Sequence, residues 1–300
     1  MKKNAPDTIF TQGMRELITM EMFMNKNDRG NLLVIAGSDI YPGAATLCAL
    51  GALKSGSGLI YVATTQFAAN SLSVNLPEAI PIVCEAKDGA ISFNSLTEKI
   101  KPIMKRVNCV VVGPGLSRTA EALKIIKFLA SEFPDLPKVF DADALYYIKN
   151  WTPSEEEGRS IIITPHAGEA SHIMGEKKLQ VNKESAIALV KKTNCHVLLK
   201  GHGSIVATKL EGTIETQSVT PGSVALAVPG SGDVLAGAIG AFVARAKVRD
   251  MAGSVVYYVA PHSASTAHAL VGISLEDEIG VNGVLASQIA EKMTEFVNVH

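Results

Sequence analysis

The segment PGSGDVLAG, at residues 229–237, contains the residues whose types and spacing best suit chemistry. Gly230, Ser231 and Gly232 precede an apolar, Gly/Ala-rich stretch typical of a helix, and Asp233 falls in its first turn. Backbone N–H groups at a helix N-terminus bind anions. A carboxylate beside them can take the proton of a hydroxyl that attacks a phosphoryl group. The same residues also suit simple capping, with Asp233 complementing the helix dipole, so both interpretations stay open.

Further polar segments each follow a stretch of β-branched, apolar residues. In open parallel sheets, ligands bind beyond the carboxyl ends of the strands. We therefore expect these segments to line one crevice. They are GSDIYPGAA (37–45), GPGLSRT (113–119), DADAL (141–145), TPHAGEA (164–170) and KGHGS (200–204).

Two of these segments combine polar side chains with a predicted helix start. Thr164 is expected to cap a helix that has Pro165 at its first position, which leaves His166 as a ligand contact or a surface residue. Asp141 and Asp143 suit either Mg²⁺ held through water or a helix cap, and the cap is the commoner use.

Lys200 ends a predicted buried strand just before Gly201. Its ammonium is expected to project into the crevice, where it would meet phosphate. The alternative is a strand-end lysine whose charge reaches solvent.

The two standard nucleotide motifs do not fit this chain. The pattern GxxxxGK[ST] is absent, and GPGLSR has Arg118 where GxGxxG requires its third glycine. The acidic residue expected about 20 positions later is also missing, which disfavours a hydride-transferring dinucleotide enzyme.

Strand and helix patterns that alternate along the chain must position these segments. Near-continuous apolar strands separated by helices indicate a parallel sheet covered on both faces. Residues 203–219 predict a hairpin that adds antiparallel strands at one edge. Strands are predicted at 31–38, 58–65, 79–85, 108–113, 138–142, 160–164 and 196–201. Helices are predicted at 43–55, 67–76, 92–106, 117–131, 143–149, twice within 166–193, and at 231–247, 251–270 and 284–297.

Composition limits the partners. The chain has 300 residues, 47% of them hydrophobic, and 28 Lys and Arg against 29 Asp and Glu. This near-neutral charge gives no general attraction for nucleic acid or an anionic membrane. The longest gapless apolar stretch, residues 234–244, is short for a membrane span. We expect a cytoplasmic protein with four buried thiols and one domain over residues 1–300, of which 1–30 form a partly helical extension.

Seven blocks in order resemble the ADP-dependent NAD(P)H-hydrate dehydratases, a branch of the ribokinase-like superfamily. The match runs from about residue 31 to about residue 293. It implies an α/β fold of three layers, α/β/α, with a mostly parallel central sheet and antiparallel edge strands. The blocks are GSDIYPGAATLCALGALKSGSGLIYVAT, VVVGPGLS, DADAL, TPHAGEA, VLLKGHGSIVA, GSGDVLAG and GVLASQIA.

The resemblance implies that NADH or NADPH hydrated on its nicotinamide ring is restored to the reduced coenzyme. ADP or ATP would phosphorylate the ring hydroxyl, and phosphate would then be eliminated. Asp233 would be the catalytic base, and Mg²⁺ is expected with the nucleotide, with no ligand residues named. Residues expected to contact the hydrated coenzyme are Ala44, Gly115, His166 and Asp233. Residues expected to hold the nucleotide are Lys200, Gly201, His202, Gly203, Ser204 and Gly232.

The sequence departs from the family pattern near Asp233. Pro229 lacks a backbone donor, and Val224 replaces a residue able to adopt unusual backbone angles. The usual His-Gly pair appears as His262 and Ser263. Two alternatives therefore stay open beside the dehydratase: a kinase of the same superfamily acting on a thiazole or hydroxymethylpyrimidine alcohol, and a non-catalytic nucleotide sensor. The resemblance also favours a homo-oligomer.

Overall fold

The computed structural model describes residues 13, 15–17, 19, 25–210 and 212–297. The predicted N-terminal extension, residues 1–30, lies mostly outside this range. Nine strands of one sheet have the order β11-β10-β9-β8-β7-β6-β1-β2-β3. They are β1 (Leu32–Ile35), β2 (Ile60–Thr65), β3 (Ile80–Cys84), β6 (Cys109–Val112), β7 (Lys138–Phe140), β8 (Ile161–Ile163), β9 (His196–Leu199), β10 (Ile205–Leu210) and β11 (Thr213–Ser218). A small hairpin comprises β4 (Ala86–Lys87) and β5 (Ala90–Ile91).

The sheet is parallel except at one edge. Strands β3, β2, β1, β6, β7, β8 and β9 run parallel, whereas β10 pairs antiparallel with both β9 and β11. Pro81 lies in β3, at the sheet edge, where the missing N–H of a proline costs no central hydrogen bond. The predicted mostly parallel sheet with antiparallel edge strands is confirmed.

Helices cover both faces of the sheet. They are α1 (Pro42–Lys54), α2 (Gln66–Asn75), α3 (Phe93–Ile100), α4 (Ala120–Glu132), α5 (Asp143–Tyr146), α6 (Glu155–Gly158), α7 (Ala167–Met174), α8 (Lys183–Thr193), α9 (Ser231–Val248), α10 (Ala260–Ile279) and α11 (Ala286–Phe296). Side chains of α1, α9, α10 and α11 form one apolar core on one face, and those of α3, α4, α7 and α8 form a second core on the other. This confirms the predicted three layers.

Several predicted helix bounds are wrong. The helix predicted at 92–106 ends at Ile100, and a 3₁₀ turn, Met104–Arg106, follows. The helix predicted at 251–270 begins as a π-helical segment, Val255–Val259, and α10 continues to Ile279 because its last turns remain rich in helix formers. No described helix has the length and apolarity needed to cross a membrane.

Chain order along the sheet reverses beside β1. From β1 the chain moves outward to β2 and β3, then returns to β6 on the other side of β1. The loops after β1 and β6 therefore lie side by side at the carboxyl ends of the strands, where the Gly37 N–H donates to the Pro114 carbonyl oxygen at 2.8 Å. This reversal is the place where open α/β sheets bind ligands.

Candidate active site

Ala44 and Gly115 meet at the reversal point. Gly115 has φ +59°, and a Cβ there would lie 2.7 Å from the Ala44 Cβ and 2.9 Å from the Tyr41 carbonyl oxygen. Below them, the Ser117 hydroxyl donates to the Ser38 hydroxyl at 3.0 Å. Two loops that are distant in sequence are thus held together, and only small residues fit at their contact.

Asp141 is buried at the end of β7. Its Oδ1 accepts a hydrogen bond from the Thr164 hydroxyl at 2.7 Å and another from Lys200 Nζ at 2.7 Å. Its backbone oxygen would lie 1.8 Å from a Cβ at Gly113, which has φ +126°, so only glycine fits there. The carboxyl ends of three neighbouring strands, β7, β8 and β9, are joined through this carboxylate.

The predicted helix caps are wrong. Helix α5 follows Ala142 and has no side-chain cap bond, and the Asp143 carboxylate instead accepts from the Ser117 N–H and from Arg118 Nε. Thr164 is bonded to Asp141, so it does not cap α7 either.

His166 caps α7 in place of Thr164. Its Nδ1 accepts the N–H groups of Gly168 at 3.0 Å and Glu169 at 3.3 Å, and Glu169 accepts the His166 N–H in return. Because Nδ1 accepts, the neutral ring carries its hydrogen on Nε2. The side chain is 60% exposed, and Nε2 lies 3.6 Å from Glu169 Oε2.

Lys200 lies among carboxyl groups, as an ammonium directed into the crevice. Burial opposes its charge, but Asp141, Glu169 and Asp233 outweigh that effect and raise the pKa of Lys200. Burial raises the pKa of Glu169, against the opposing effect of Lys200. The alternative, that the charge of Lys200 reaches solvent, is wrong, since only 17% of its side chain is exposed.

Asp233 is partly buried, and its pKa lies far above the ordinary value of an aspartate. Burial raises the pKa of Asp233 to about 7, and the charge on Asp141 adds to this while Lys200 opposes it. Asp143 contributes a further rise. A carboxyl group with a pKa near neutrality is suited to general base catalysis at physiological pH.

Helix α9 begins beside this carboxyl. Gly230 is its N-cap at φ +85°, and a Cβ there would lie 2.4 Å from Leu47 Cδ1 in α1. The N–H groups of Gly232 and Asp233 belong to the first turn and have no acceptor within the helix. A Cβ at Gly232 would lie 3.6 Å from Lys200 Nζ. Backbone donors and an ammonium thus converge on one spot suited to a phosphate group.

A cavity of about 750 Å³ opens in front of this helix start. Val224, Leu226 and Val228 form one wall, which is apolar. Ser265, His268 and Ala269 of α10 form a second wall, which carries polar groups. Predicted site residues on its wall are His166, Lys200, Gly201, His202, Ser204 and Gly232. Gly203 lies within the same loop, whereas Ala44 and Gly115 belong to the reversal point. The predicted nucleotide residues are therefore brought together.

The departures from the family pattern leave this geometry intact. Val224 begins a 3₁₀ turn, Val224–Leu226, and is not among the residues with positive φ, so no unusual backbone angle is required of it. Pro229 precedes the N-cap Gly230, so the donor it lacks lies outside the first turn of α9. His262 Nε2 lies 3.1 Å from the Ser218 carbonyl oxygen.

Sequence reasoning missed two partnerships here. One is the Thr164, Asp141 and Lys200 network, which joins segments far apart in the chain. The other is a contact of 3.2 Å between Ser231 Oγ and His268 Nε2. Neither gives a local signal, because each joins residues that are far apart in the chain.

No three His, Cys, Asp or Glu side chains come together in an arrangement suited to a metal ion among residues 13, 15–17, 19, 25–210 and 212–297. Asp141 Oδ1 already accepts hydrogen bonds from Lys200 and Thr164. The described side chains therefore do not form a protein cage for Mg²⁺, which commonly keeps water and phosphate oxygens as ligands.

Known proteins are similar to this chain in sequence and in fold. A model of the NAD(P)H-hydrate dehydratase family matches residues 32–295. The bifunctional NAD(P)H-hydrate repair enzyme Nnr of Thermofilum pendens is 34% identical over 72% of this chain and 41% of its own length. The ADP-dependent (S)-NAD(P)H-hydrate dehydratase of Xanthomonas campestris pv. campestris is 30% identical over 88% of this chain and 87% of its own.

A crystal structure of the ADP/ATP-dependent NAD(P)H-hydrate dehydratase from Bacillus subtilis, co-crystallized with ATP/Mg²⁺, has the same fold. Its TM-score is 0.73 at 23% identity, with 94% of this chain and 95% of that chain covered. The present chain spans about half the length of the bifunctional relatives it matches. The extent of the family match decides the assignment: the chain belongs to the NAD(P)H-hydrate dehydratase family.

Proposed function

We propose that this protein uses ADP or ATP to dehydrate hydrated NADH or NADPH back to the reduced coenzyme. The observation that carries the proposal is Asp233, a carboxyl with a pKa of about 7 in the first turn of an anion-binding helix. A base at that position can accept a hydroxyl proton while the helix N–H groups bind the phosphoryl group.

The reaction proceeds in two steps. Asp233 takes the proton of the ring hydroxyl as its oxygen attacks the terminal phosphoryl group, and the nucleotide leaves with one phosphate fewer. Inorganic phosphate is then expelled from the ring carbon, and a proton leaves the neighbouring carbon to restore the double bond. Phosphorylation makes this possible because phosphate is a far better leaving group than hydroxide.

Each ligand is assigned to one part of the crevice. The hydrated ring lies against Ala44 and Gly115 at the reversal point, with His166 Nε2–H as a donor and Asp233 at the hydroxyl. The nucleotide occupies the 750 Å³ cavity, held by Gly232 and by the loop of Lys200, Gly201, His202, Gly203 and Ser204. Mg²⁺ would bind to the phosphate groups of the nucleotide and neutralise part of their charge.

The proposal extends to cell location and partners. We place the protein in the cytoplasm, where reducing conditions suit its four free, buried cysteines. Its partners are two phosphorylated small molecules. A formal net charge of -1 argues against nucleic acid and anionic membranes. We also propose a homo-oligomer, on the strength of the family resemblance alone.

The test is recovery of reduced-nicotinamide absorbance from hydrated NADH and hydrated NADPH with Mg²⁺, run in parallel with ADP and with ATP. We expect recovery with at least one nucleotide and one inorganic phosphate released per coenzyme restored. No recovery with either nucleotide would overturn the proposal. Accumulation of a stable phosphate ester from a thiazole or hydroxymethylpyrimidine alcohol would instead indicate a kinase, and tight nucleotide binding without turnover would indicate a sensor.

A further inference from the structure

Ser231 and His268 form a buried polar pair on the wall of the nucleotide cavity. Ser231 is the first residue of α9, and His268 lies in α10. Ser231 Oγ lies 3.2 Å from His268 Nε2, and the two residues are only 5% and 7% exposed. Both line the cavity. A hydroxyl at the start of an anion-binding helix is thus held from a different helix.

Two other serine hydroxyls that line the cavity are engaged within their own segments, and a third, that of Ser223, donates to the Glu276 carboxylate in α10. The Ser265 hydroxyl donates to the Pro261 carbonyl oxygen at 2.8 Å, one turn back in α10. The Ser204 hydroxyl donates to the Gly201 carbonyl oxygen at 3.1 Å in its own loop. Ser231 differs from these two because its partner is an imidazole on another helix.

The His268 ring is neutral near pH 7. Burial lowers the pKa of His268 to about 4, a hydrogen bond to the Ser231 backbone opposes this fall, and the charge of Lys200 adds to it. A neutral imidazole donates from one nitrogen and accepts at the other. If Nε2–H donates to Ser231 Oγ, the serine proton is free to point into the cavity. The opposite arrangement would direct oxygen lone pairs at an anion, so an anionic ligand selects the first.

We propose that His268 is a positioning residue that, through the Ser231 hydroxyl, holds a phosphate group of the nucleotide at the start of α9. The identity of the ligand as an adenine nucleotide rests on the proposed function. Nε2–H of His268 donates to Ser231 Oγ, and the Ser231 proton donates to a phosphate oxygen. This side-chain donor joins the backbone N–H groups of Gly232 and Asp233. Every donor in this set is neutral, so it supplements Lys200 by orientation more than by charge.

Calorimetric titration without coenzyme tests this proposal. ADP and adenosine are titrated into the wild type, Ser231→Ala, His268→Phe and the double variant. We expect each single variant to bind ADP about tenfold more weakly, the effect of one hydrogen bond to a charged group. The double variant should be no weaker than about twofold below the singles, because the two residues act as one unit. Adenosine affinity should not change.

Two further variants separate positioning from packing. His268→Gln places an amide nitrogen near the position of Nε2 and should recover most of the ADP affinity. Ser73→Ala removes a hydroxyl that is bonded one turn back in its own helix, α2, outside the cavity, and should leave ADP binding unchanged. Thermal unfolding of each variant confirms that the protein is folded.

The proposal is wrong if the single variants bind ADP as the wild type does, if their losses add in the double variant, or if adenosine affinity falls as much as ADP affinity. Because no coenzyme is present, the outcomes remain distinct from those of the dehydration assay. ADP binding that depends on Ser231 and His268 in a protein without dehydratase activity would support this inference and overturn the proposed function. If the variants still dehydrate the coenzyme and bind ADP as the wild type does, the proposed function is supported and this inference is overturned.

Discussion

The two ends of the central sheet bury charge in different ways. At the amino end, Lys138 begins β7 and donates to the carbonyl oxygens of Phe133 and Leu136 at 2.6 Å and to the Ser160 hydroxyl at 2.7 Å. Arg245, near the far end of α9, donates to three backbone carbonyls in the same manner. Both cations thus have neutral hydrogen-bond partners at the amino end of the sheet.

At the carboxyl end of the sheet, the buried cation instead has charged partners. The Lys200 ammonium faces the carboxyls of Asp141, Glu169 and Asp233. One cation cannot balance this set, so burial and mutual repulsion raise the pKa of Asp233 to about 7. The buried cations at the amino end bridge backbone carbonyl groups, whereas an excess of buried carboxyl groups leaves one of them ready to exchange a proton.

The largest effect is expected from Asp233→Asn. Asparagine keeps the shape but cannot accept the proton, so dehydration should fall about a thousandfold, the usual contribution of a general base. The measurement is kcat for coenzyme recovery, with ADP affinity as the control. Retention of more than about a tenth of the activity would exclude Asp233 as the base.

A change at the opposite end should affect stability instead. Lys138→Met leaves two carbonyl oxygens and a hydroxyl without their donor, and we expect a loss of about 3 kcal/mol in the free energy of unfolding. Urea denaturation measures this, with Lys127→Met on the exposed face of α4 as the matched control. Equal stability of the two variants would show that the buried ammonium contributes nothing. Activity per folded molecule should not change.

Asp233→Asn should also stabilise the protein at high pH. The folded carboxyl has a pKa of about 7 against an ordinary value of 3.8, so between these values the unfolded state ionises more readily and the wild type loses stability as pH rises. Asparagine avoids this cost, and we expect a gain of about 4 kcal/mol at pH 8 and about 0.5 kcal/mol at pH 4. Urea denaturation at both pH values decides, since an equal gain would contradict a raised pKa.

A smaller shift is expected from Asp141→Asn. An amide oxygen can still accept from Lys200 and Thr164, but the negative charge beside Asp233 is lost. The acid limb of kcat/KM against pH should therefore move about one pH unit lower. Asp143→Asn is the matched control and should shift the limb less, because Asp143 contributes less to the pKa of Asp233. An unmoved or rising limb in Asp141→Asn would be inconsistent with coupling between these carboxyls.

The smallest effect is expected from Pro229→Ala. The restored N–H would lie before the N-cap, outside the first turn of α9, so KM for the nucleotide should change less than about threefold. A tenfold lower KM would mean that this donor belongs to the phosphate site.

Much of the layout was predictable from the sequence. Glycine-rich segments after apolar strands predict a crevice because the carboxyl ends of parallel strands share one sheet edge. Asp233 and Gly232 were identifiable from their place at a helix start. The short hairpin of β4 and β5 was not predicted, since two-residue strands give no periodic pattern.

The missing details depend on contacts between distant segments. By residue type Thr164 is a better cap than His166, yet Asp141 captures its hydroxyl and His166 takes the capping role. The approach of His268 to Ser231 depends on how α10 packs against α9. Local propensity carries no information about either outcome.

The most direct test of the account is the pH dependence of coenzyme recovery from hydrated NADH in the wild type and in Asp233→Asn. We predict that kcat/KM of the wild type rises with pH through an apparent pKa of about 7, as Asp233 loses its proton, and that the variant is inactive across the range. A wild-type rate that is already maximal at pH 5, or equal rates in the two proteins, would contradict the central role of Asp233.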